Sequence, residues 1–408
     1  MEMIKTQANL RFPTYGEKNV FWFYVLAVFG NAWFQIGNWL LYVMLFMGTD
    51  QFAVYESIAF AAGILLEIPS GAFADLMGRR RTNSIGMFML FSGSVLFTLG
   101  YMGNLYFFFG NLIIIMGFAL ISGSLEALLY DTLVEKKKIE HYDEILGKAN
   151  SLHILSLVVA GLIGGLAWRY SIYAPWILTS IVFGFGFLFS FKFVEPKVDT
   201  EKFSINNFIK QNRRGFHYLF KSDFRKYTFS LAVIAGSYFM WGAGIIRILM
   251  GKDFGYDGEN LSYLISLTMV GGFFASYSFN KIRKKFGDKY GFSFLLALSA
   301  LAWIATGVLP GSYALGALVF LAITVGGSLS KIWSSVILNK HVKSKDRATA
   351  ISTLSFFMQI PYVFIVILYS QLVTNGTAAV FYIIVGVLLL FAMVSFYKTE
   401  NEEILVSE

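Results

Sequence analysis

The stretch that decides the fold reads Gly71-Ala-Phe-Ala-Asp75-Leu-Met-Gly78-Arg79-Arg80-Arg81 and joins two long apolar runs. We call residues 71–80 the loop motif. Gly71 lets another helix approach closely, and Gly78 permits a tight turn. Asp75 can accept hydrogen bonds from a helix N-terminus or pair with an arginine. A basic loop that only fixes the orientation of the two apolar runs is the simpler alternative. That role would require the basic residues but not glycine and aspartate at these positions.

The composition around this motif excludes most classes of protein. Of the 408 residues 56% are hydrophobic and 14% are charged, and there is no cysteine. A soluble domain has about a quarter charged residues, so a soluble enzyme and a disordered chain are excluded. Without cysteine, a disulfide scaffold and thiolate chemistry are excluded as well. The composition therefore predicts an all-α polytopic membrane protein.

Apolar runs long enough to span a bilayer recur along the whole chain. A spanning helix needs ~20 apolar residues, whereas a transmembrane barrel would show ~10-residue alternating segments. The runs predict twelve transmembrane helices, at about 20–45, 52–74, 83–101, 105–130, 152–168, 173–191, 227–248, 261–279, 291–309, 312–335, 350–372 and 378–397.

Basic residues fall almost entirely on one side of these predicted spans. The N-terminal segment, the even-numbered connections and the tail hold 30 of the 33 Lys and Arg. The positive-inside rule then predicts that both termini and every even connection are cytoplasmic. This layer accounts for the net charge of +8 without any nucleic-acid partner. We expect the protein to lie in the plasma (inner) membrane as a monomer.

The longest connection divides the chain into two halves. We predict a cytoplasmic N-terminal segment at 1–19, six-helix bundles at 20–191 and 227–397, a cytoplasmic linker at 192–226 and a cytoplasmic tail at 398–408. A degenerate copy of the loop motif, Ser276-Tyr-Ser-Phe-Asn280-Lys-Ile-Arg283, follows helix eight at an offset of 205 residues. Such parallel repeats are one of the known transporter architectures.

The loop motif, its position and its second copy resemble the major facilitator superfamily. Two other stretches, residues 122–131 and 346–349, resemble its bacterial drug-efflux branch. The resemblance implies two bundles around a central cavity, and a cytoplasmic gate latched by the loop motif. Asp131 and Glu135 would lie at this gate, within reach of Arg79 or Arg80. An interfacial ion pair without a gating role is the alternative. Helix five has the glycines of the antiporter motif but not its proline, and Asn111 stands where these antiporters carry a buried arginine.

Few acidic residues lie inside the spans, and they are candidates for proton coupling. A carboxyl group inside a membrane is desolvated and can exchange a proton near neutral pH. Glu126 in helix four is the first candidate and Glu67 in helix two the second. Permanent pairing of Glu126 with Lys331 is the alternative. Glu56 and Arg247 lie near the outer ends of helices two and seven.

The resemblance implies that helices one, seven and eleven line the substrate cavity. Asn31, Gln35, Asn38 and Tyr42 follow helical spacing, so we expect them on one face of helix one. Hydrogen bonding between helices in a dry bundle is the alternative. The other predicted cavity residues are aromatic or amide side chains, namely Tyr238, Trp241 and Gln359. For the aromatic residues, placement towards the membrane is the alternative.

These observations predict a secondary transporter that works by alternating access. Proton-coupled export of a lipophilic or amphipathic small molecule is the first hypothesis. Proton-coupled uptake of a small nutrient, or flipping of a lipid or lipid-linked substrate, is the alternative. A membrane-embedded lipid-processing enzyme would need a catalytic constellation, and the sequence has no HExxH and no P-loop. We therefore expect no enzymatic activity, no metal and no cofactor; protons, a small molecule and the bilayer are the expected partners.

Overall fold

The computed structural model describes residues 13–197, 225–341 and 347–407, and these residues contain fourteen α-helices and no strand. Seven helices form the N-terminal half. They are α1 (Lys18–Phe29), α2 (Trp39–Met44), α3 (Thr49–Met77), α4 (Arg79–Thr98), α5 (Asn104–Glu135), α6 (Tyr142–Tyr170) and α7 (Ala174–Ser190).

Seven more helices form the C-terminal half. They are α8 (Arg225–Gly242), α9 (Ile245–Asp253), α10 (Gly258–Tyr277), α11 (Phe279–Val308), α12 (Tyr313–His341), α13 (Arg347–Thr374) and α14 (Ala378–Ser407). Six of the described helices are long and apolar enough to cross a membrane, and α8 with α9 makes a seventh if that bent pair is one span. The all-α prediction is confirmed, and the helices follow the order of the twelve predicted spans.

Two of those spans are broken, and they occupy the same place in each half. Span one consists of α1 and α2, which are separated by residues 30–38, and span seven bends by 76° between α8 and α9. Gly244, at the second break, has φ of +110°, a conformation that glycine adopts without strain. The prediction that Asn31, Gln35, Asn38 and Tyr42 share one helical face is therefore wrong, because the backbone between Gly30 and Asn38 is not helical.

The two halves repeat the same packing. In the N-terminal half α4 packs on α5 and α7, and α3 packs on α5. In the C-terminal half α11 packs on α12 and α14, and α10 packs on α12. The contacts between the halves are related in the same way, since α6 packs on α10 and α3 on α13. This arrangement is a parallel repeat of two bundles.

The halves meet at one end of the molecule. We call the end that carries Arg79 and Lys281 the basic end, and the opposite one the far end. A Cβ atom on Gly258, at the start of α10, would lie 2.5 Å from the Trp168 indole nitrogen near the end of α6, so the two far-end segments touch. Ser57 of α3 donates to the carbonyl oxygen of Val363 in α13 at 2.7 Å. The far end is thus closed by contacts between the halves.

One boundary differs from that predicted. Helix α14 continues without a break to Ser407, so residues 398–407 continue the last helix, whose apolar span ends at Thr399. Most of the predicted linker, together with most of the N-terminal segment, lies outside the described residues.

Candidate substrate cavity and gate

A wide cavity lies between the halves and reaches towards the basic end. Its volume is about 870 Å³, and its wall includes Ser276 and Lys331. Ser276 is one residue from the basic end of α10, which places the mouth of the cavity there. Tyr238 and Trp241 line it as predicted, and the Tyr238 hydroxyl shares a hydrogen bond of 2.5 Å with Ser299. Most of the lining is apolar or aromatic, which suits a lipophilic ligand.

A second space, the inner cavity, lies deeper and shares part of its wall with the wide cavity. Its volume is about 370 Å³, and Phe60, Leu157, Met269 and Arg247 line both spaces. The inner cavity is also lined by Glu56 and Gln35. It therefore contains both Glu56 and Arg247, the two ionisable residues that the sequence places near the outer ends of their spans. The two spaces together form a path from the basic end to the closed far end.

Glu56 is held by side chains from both halves. It is 3% exposed, and its carboxylate accepts from the Asn111 amide at 2.7 Å and from the Tyr362 hydroxyl at 3.3 Å. Asn111 is in the N-terminal half and Tyr362 is in the C-terminal half, so Glu56 connects the two bundles where they touch. The sequence does not show that Glu56 is buried between the halves, because hydropathy does not indicate which face of α3 packs against α13.

Arg247 is buried in the other wall of the inner cavity. It is 6% exposed, and one terminal nitrogen donates to the Ile36 carbonyl oxygen at 3.3 Å. Its Nε has no hydrogen-bond partner, and its guanidinium lies 5.3 Å from the centroid of the Trp241 ring. A bent span seven is what brings this side chain from the far end into the space between the halves.

The predicted proton site lies beside a third, smaller space. This side cavity has a volume of about 330 Å³ and is lined by Asn31, Glu126 and His153. The Glu126 side chain is exposed, and among the described residues it forms no ion pair, so the expected alternative of pairing with Lys331 is not seen. Glu67 is partly buried on α3, three turns closer to the basic end than Glu56.

Three of the other predicted cavity residues lie elsewhere. Asn38 is fully buried and donates to Ser262 Oγ at 3.1 Å, and Tyr42 is fully buried and donates to the Thr98 carbonyl oxygen at 2.6 Å. These two therefore pack between helices, which corrects their predicted position in the cavity. Gln359 is half-buried next to Met358, a residue of the cavity wall. Gln35 lines the inner cavity and accepts from the Thr179 hydroxyl.

The loop motif forms a compact set of polar contacts at the basic end. Gly78 separates α3 from α4 with φ of +90°, which fits the predicted turn. The Arg79 Nε lies 2.6 Å from Asp131 Oδ2, so the predicted contact between these residues is present. Gly71 and Asp75 lie within α3, and the Asp75 side chain is outside the described part.

A glutamate that the sequence did not point to completes this set. The Glu195 carboxylate accepts from the backbone N–H groups of Arg79 and Arg80 at 2.6 and 2.8 Å. It therefore caps the start of α4, where a negative charge is stabilised by the helix dipole. The Arg80 guanidinium donates to the Phe191 carbonyl oxygen at 3.0 Å. Glu135 does not contact either arginine, since it accepts from the Lys197 N–H at 2.8 Å and from Lys136 at 3.0 Å.

The second copy of the motif has a different set of contacts. Arg283 makes a bidentate pair with Asp288, with N–O distances of 2.6 and 2.9 Å. Asp288 also accepts from the indole N–H of Trp333 at 2.9 Å. Both arginine–aspartate pairs lie at the basic end, one in each half, which agrees with a diverged repeat.

Comparisons with known proteins agree with this architecture. The family model described as Major Facilitator Superfamily matches residues 228–407. No curated protein matches the chain by sequence. Among solved structures, the nucleoside transporter NupG is 14% identical with a TM-score of 0.69, and the match covers 94% of this chain and 98% of that one.

Two further solved structures have the same fold. A D-xylose–proton symporter is 13% identical with a TM-score of 0.68, covering 94% of this chain and 97% of that one. A bacterial homologue of the iron transporter ferroportin, in an inward-facing state, is 16% identical with a TM-score of 0.69, covering 94% and 97%. The resemblance to the major facilitator superfamily is thus confirmed by sequence over residues 228–407, and the three transporter structures share the fold over nearly the whole chain.

Proposed function

We propose that this chain, with the fold of the major facilitator superfamily, is a secondary transporter that works by alternating access. The observation that carries the proposal is the path formed by the wide and inner cavities, which is open towards the basic end and closed at the far end. With the basic end in the cytoplasm, as the positive-inside rule predicts, this is an inward-facing arrangement. The chain would then lie in the plasma membrane, with both termini inside.

The loop motif is proposed as the cytoplasmic gate. Glu195 and Asp131 hold the start of α4 through Arg79 and Arg80. These contacts lie within one half, so they can shape the surface that meets the other half when the basic end closes. Gly71, Asp75, Gly78 and Glu135 are proposed to belong to the same gate.

Proton-coupled export of a lipophilic or amphipathic small molecule is the mode we propose, as in the drug-efflux branch. The aromatic lining of the wide cavity supports this class of cargo. Glu126 is the proposed coupling residue and Glu67 the second, and the burial of Glu56 between the halves adds a third. Each is a carboxyl group within a span.

Proton-coupled uptake of a small nutrient is the second candidate. The fold shared with a D-xylose–proton symporter is the observation that favours it, since that protein moves its sugar together with a proton. Flipping of a lipid would require a cavity open sideways to the bilayer. Transport, not catalysis, is the proposed activity, and a monomer is the proposed functional unit.

Flux in proteoliposomes under an imposed pH gradient tests the proposal. We expect gradient-dependent movement of an amphipathic dye, with its direction relative to the protons deciding between export and uptake. Replacing Glu126 with Gln should abolish the pH dependence of the flux and leave the protein folded. Glu56→Gln and Glu67→Gln make the same isosteric change at the other two candidates and are measured in the same assay. Full pH dependence in Glu126→Gln would assign the coupling to one of them, and lipid conversion without flux would favour the enzyme.

A further inference from the structure

The only guanidinium in the described walls of the wide and inner cavities lacks a counter-charge. Arg247 is 6% exposed, and it lines both spaces. A guanidinium has five N–H donors. Here one terminal nitrogen makes a hydrogen bond of 3.3 Å to a backbone carbonyl, and Nε has no partner.

The acid in the same cavity does not neutralise it. The two oxygens of Glu56 accept from Asn111 and Tyr362, and no ion pair joins Glu56 to Arg247 in the described structure. The remaining charged side chain of the described walls is Lys331, which is also basic and lies nearer the basic end. A buried charge is costly unless it is paired, so an ionised group that enters this space and meets Arg247 gains the pairing that the protein does not supply.

The surroundings of Arg247 add the second half of the recognition. Trp241 lies under the guanidinium, and Phe60, Met269 and Tyr238 complete an apolar wall next to it. A planar guanidinium binds carboxylate, sulfonate or phosphate groups with two parallel hydrogen bonds. A volume of about 870 Å³ beside it accommodates an aromatic or aliphatic body of drug size.

We propose that Arg247 is the anion-binding residue of the central cavity and that the cargo is an amphipathic anion, with its acidic group at Arg247 and its apolar body against Trp241 and Phe60. This inference rests on the proposed function for the identity of the ligand as cargo. Lys331, near the mouth, raises the local concentration of anions and helps them enter.

The test is a binding measurement that does not depend on transport. Purified full-length protein in nanodiscs of neutral lipid is titrated with 8-anilinonaphthalene-1-sulfonate, and binding is followed by energy transfer from tryptophan. N-phenyl-1-naphthylamine, which has the same ring system without the sulfonate, is the matched probe. We expect saturable binding of the sulfonate that Arg247→Gln weakens by about tenfold or more, with Arg247→Lys in between. Binding of the neutral probe should be unchanged.

Lys331→Gln is the matched control, because it removes a positive charge from the same cavity nearer the basic end. If it weakens the sulfonate as much as Arg247→Gln does, general electrostatic attraction explains the binding and the proposal is wrong. Equal affinity of wild-type protein for both probes also overturns it.

A competition experiment keeps the proposal testable if Arg247→Gln does not fold. Decanoate, decanol and decylammonium are compared as competitors of the sulfonate on wild-type protein. Decanoate should displace the probe at the lowest concentration, whereas equal displacement by decanol would exclude an anion site. Charge-selective binding without any flux would support the anion site and contradict the transport proposal. Flux without charge-selective binding would support transport and contradict the anion site.

Discussion

At the scale of single residues, the ion pair of Arg79 and Asp131 ties the start of α4 to the end of α5. The two side chains are 16% and 9% exposed, so the pair is mostly shielded from water. Asp131→Asn removes the negative charge and leaves a shielded guanidinium without its counter-charge, and we expect a loss of about 1.5–3 kcal/mol of stability. Thermal unfolding of the purified protein in detergent measures it.

Asp143→Asn is the control for this prediction. Asp143 is an exposed acid in the first turn of α6, also at the basic end, so its replacement removes the same charge. Only the favourable interaction with the helix dipole is lost there, at most about 1 kcal/mol. Equal effects of the two variants would show that the ion pair contributes no more than net charge does.

Local spacing is enough to predict the contact of Arg79 with Asp131, but not the cap that Glu195 provides. Asp131 lies at the basic end of a long apolar run. Because successive spans run in opposite directions, the length of this run places Asp131 at the same level as the arginines. Glu195 follows the last span of the half, and only the packing of α4 on α7 brings it to Gly78. A Cβ on Gly78 would lie 2.9 Å from Glu195 Oε2, so the glycine is required by the cap as well as by the turn.

At the scale of elements, the break in span seven depends on one of two neighbouring glycines. Gly244 has φ of +110°, and a Cβ there would lie 3.0 Å from the Trp39 indole nitrogen. Gly244→Ala should therefore cost about 1–3 kcal/mol, because its backbone conformation is strained for any other residue. Gly242, two residues earlier, has no positive φ, and a Cβ atom there would meet nothing within 4 Å.

Gly242→Ala is accordingly the matched control for the break. Gly242 ends the helix α8, where alanine is as good as or better than glycine, so we expect a change of less than about 1 kcal/mol. Thermal unfolding of the two variants, side by side, checks the difference. A similar melting temperature for both would mean that the bend does not depend on the left-handed conformation of Gly244.

The twelve spans can be predicted from hydropathy, whereas the two breaks cannot. Residues 30–38 alternate apolar side chains such as Trp33 and Phe34 with amides such as Gln35, a pattern that an unbroken helix with one polar face would also show. Hydropathy measures the transfer of side chains into lipid and is insensitive to the backbone path. The spacing of Gln35 and Asn38 is compatible with a regular helix, and that geometry places Asn38 in the cavity, whereas it packs against Ser262.

At the scale of the whole molecule, the one-sided distribution of basic residues predicts the orientation of the repeat, and the structure adds where the halves touch. Glu56 and Arg247 are visible in the sequence as ionisable residues in apolar runs. Their shared cavity depends on contacts between helices that are far apart in the chain, which no local pattern reports. Tyr238 and Trp241 line the wide cavity because their helix lies at the interface of the two halves.

Contacts at the closed far end are expected to set the equilibrium between the arrangement closed at the far end and the one closed at the basic end. A Cβ on Gly37 would lie 2.6 Å from the backbone nitrogen of Ser262, so this glycine lets the N-terminal half approach α10 of the other half. Gly37→Ala should push the far end apart and favour closure of the basic end, because backbone atoms cannot move aside as a side chain can.

The chain has no cysteine, so Asp143→Cys and Lys281→Cys can carry spin labels on the two halves at the basic end without other changes. We expect a shorter distance between the labels in Gly37→Ala than in the parent. Gly123→Ala, where a Cβ would meet nothing within 4 Å, should leave the distance unchanged. A folded Gly37→Ala variant with the parent distance would show that the contact between Gly37 and Ser262 does not control which end is closed.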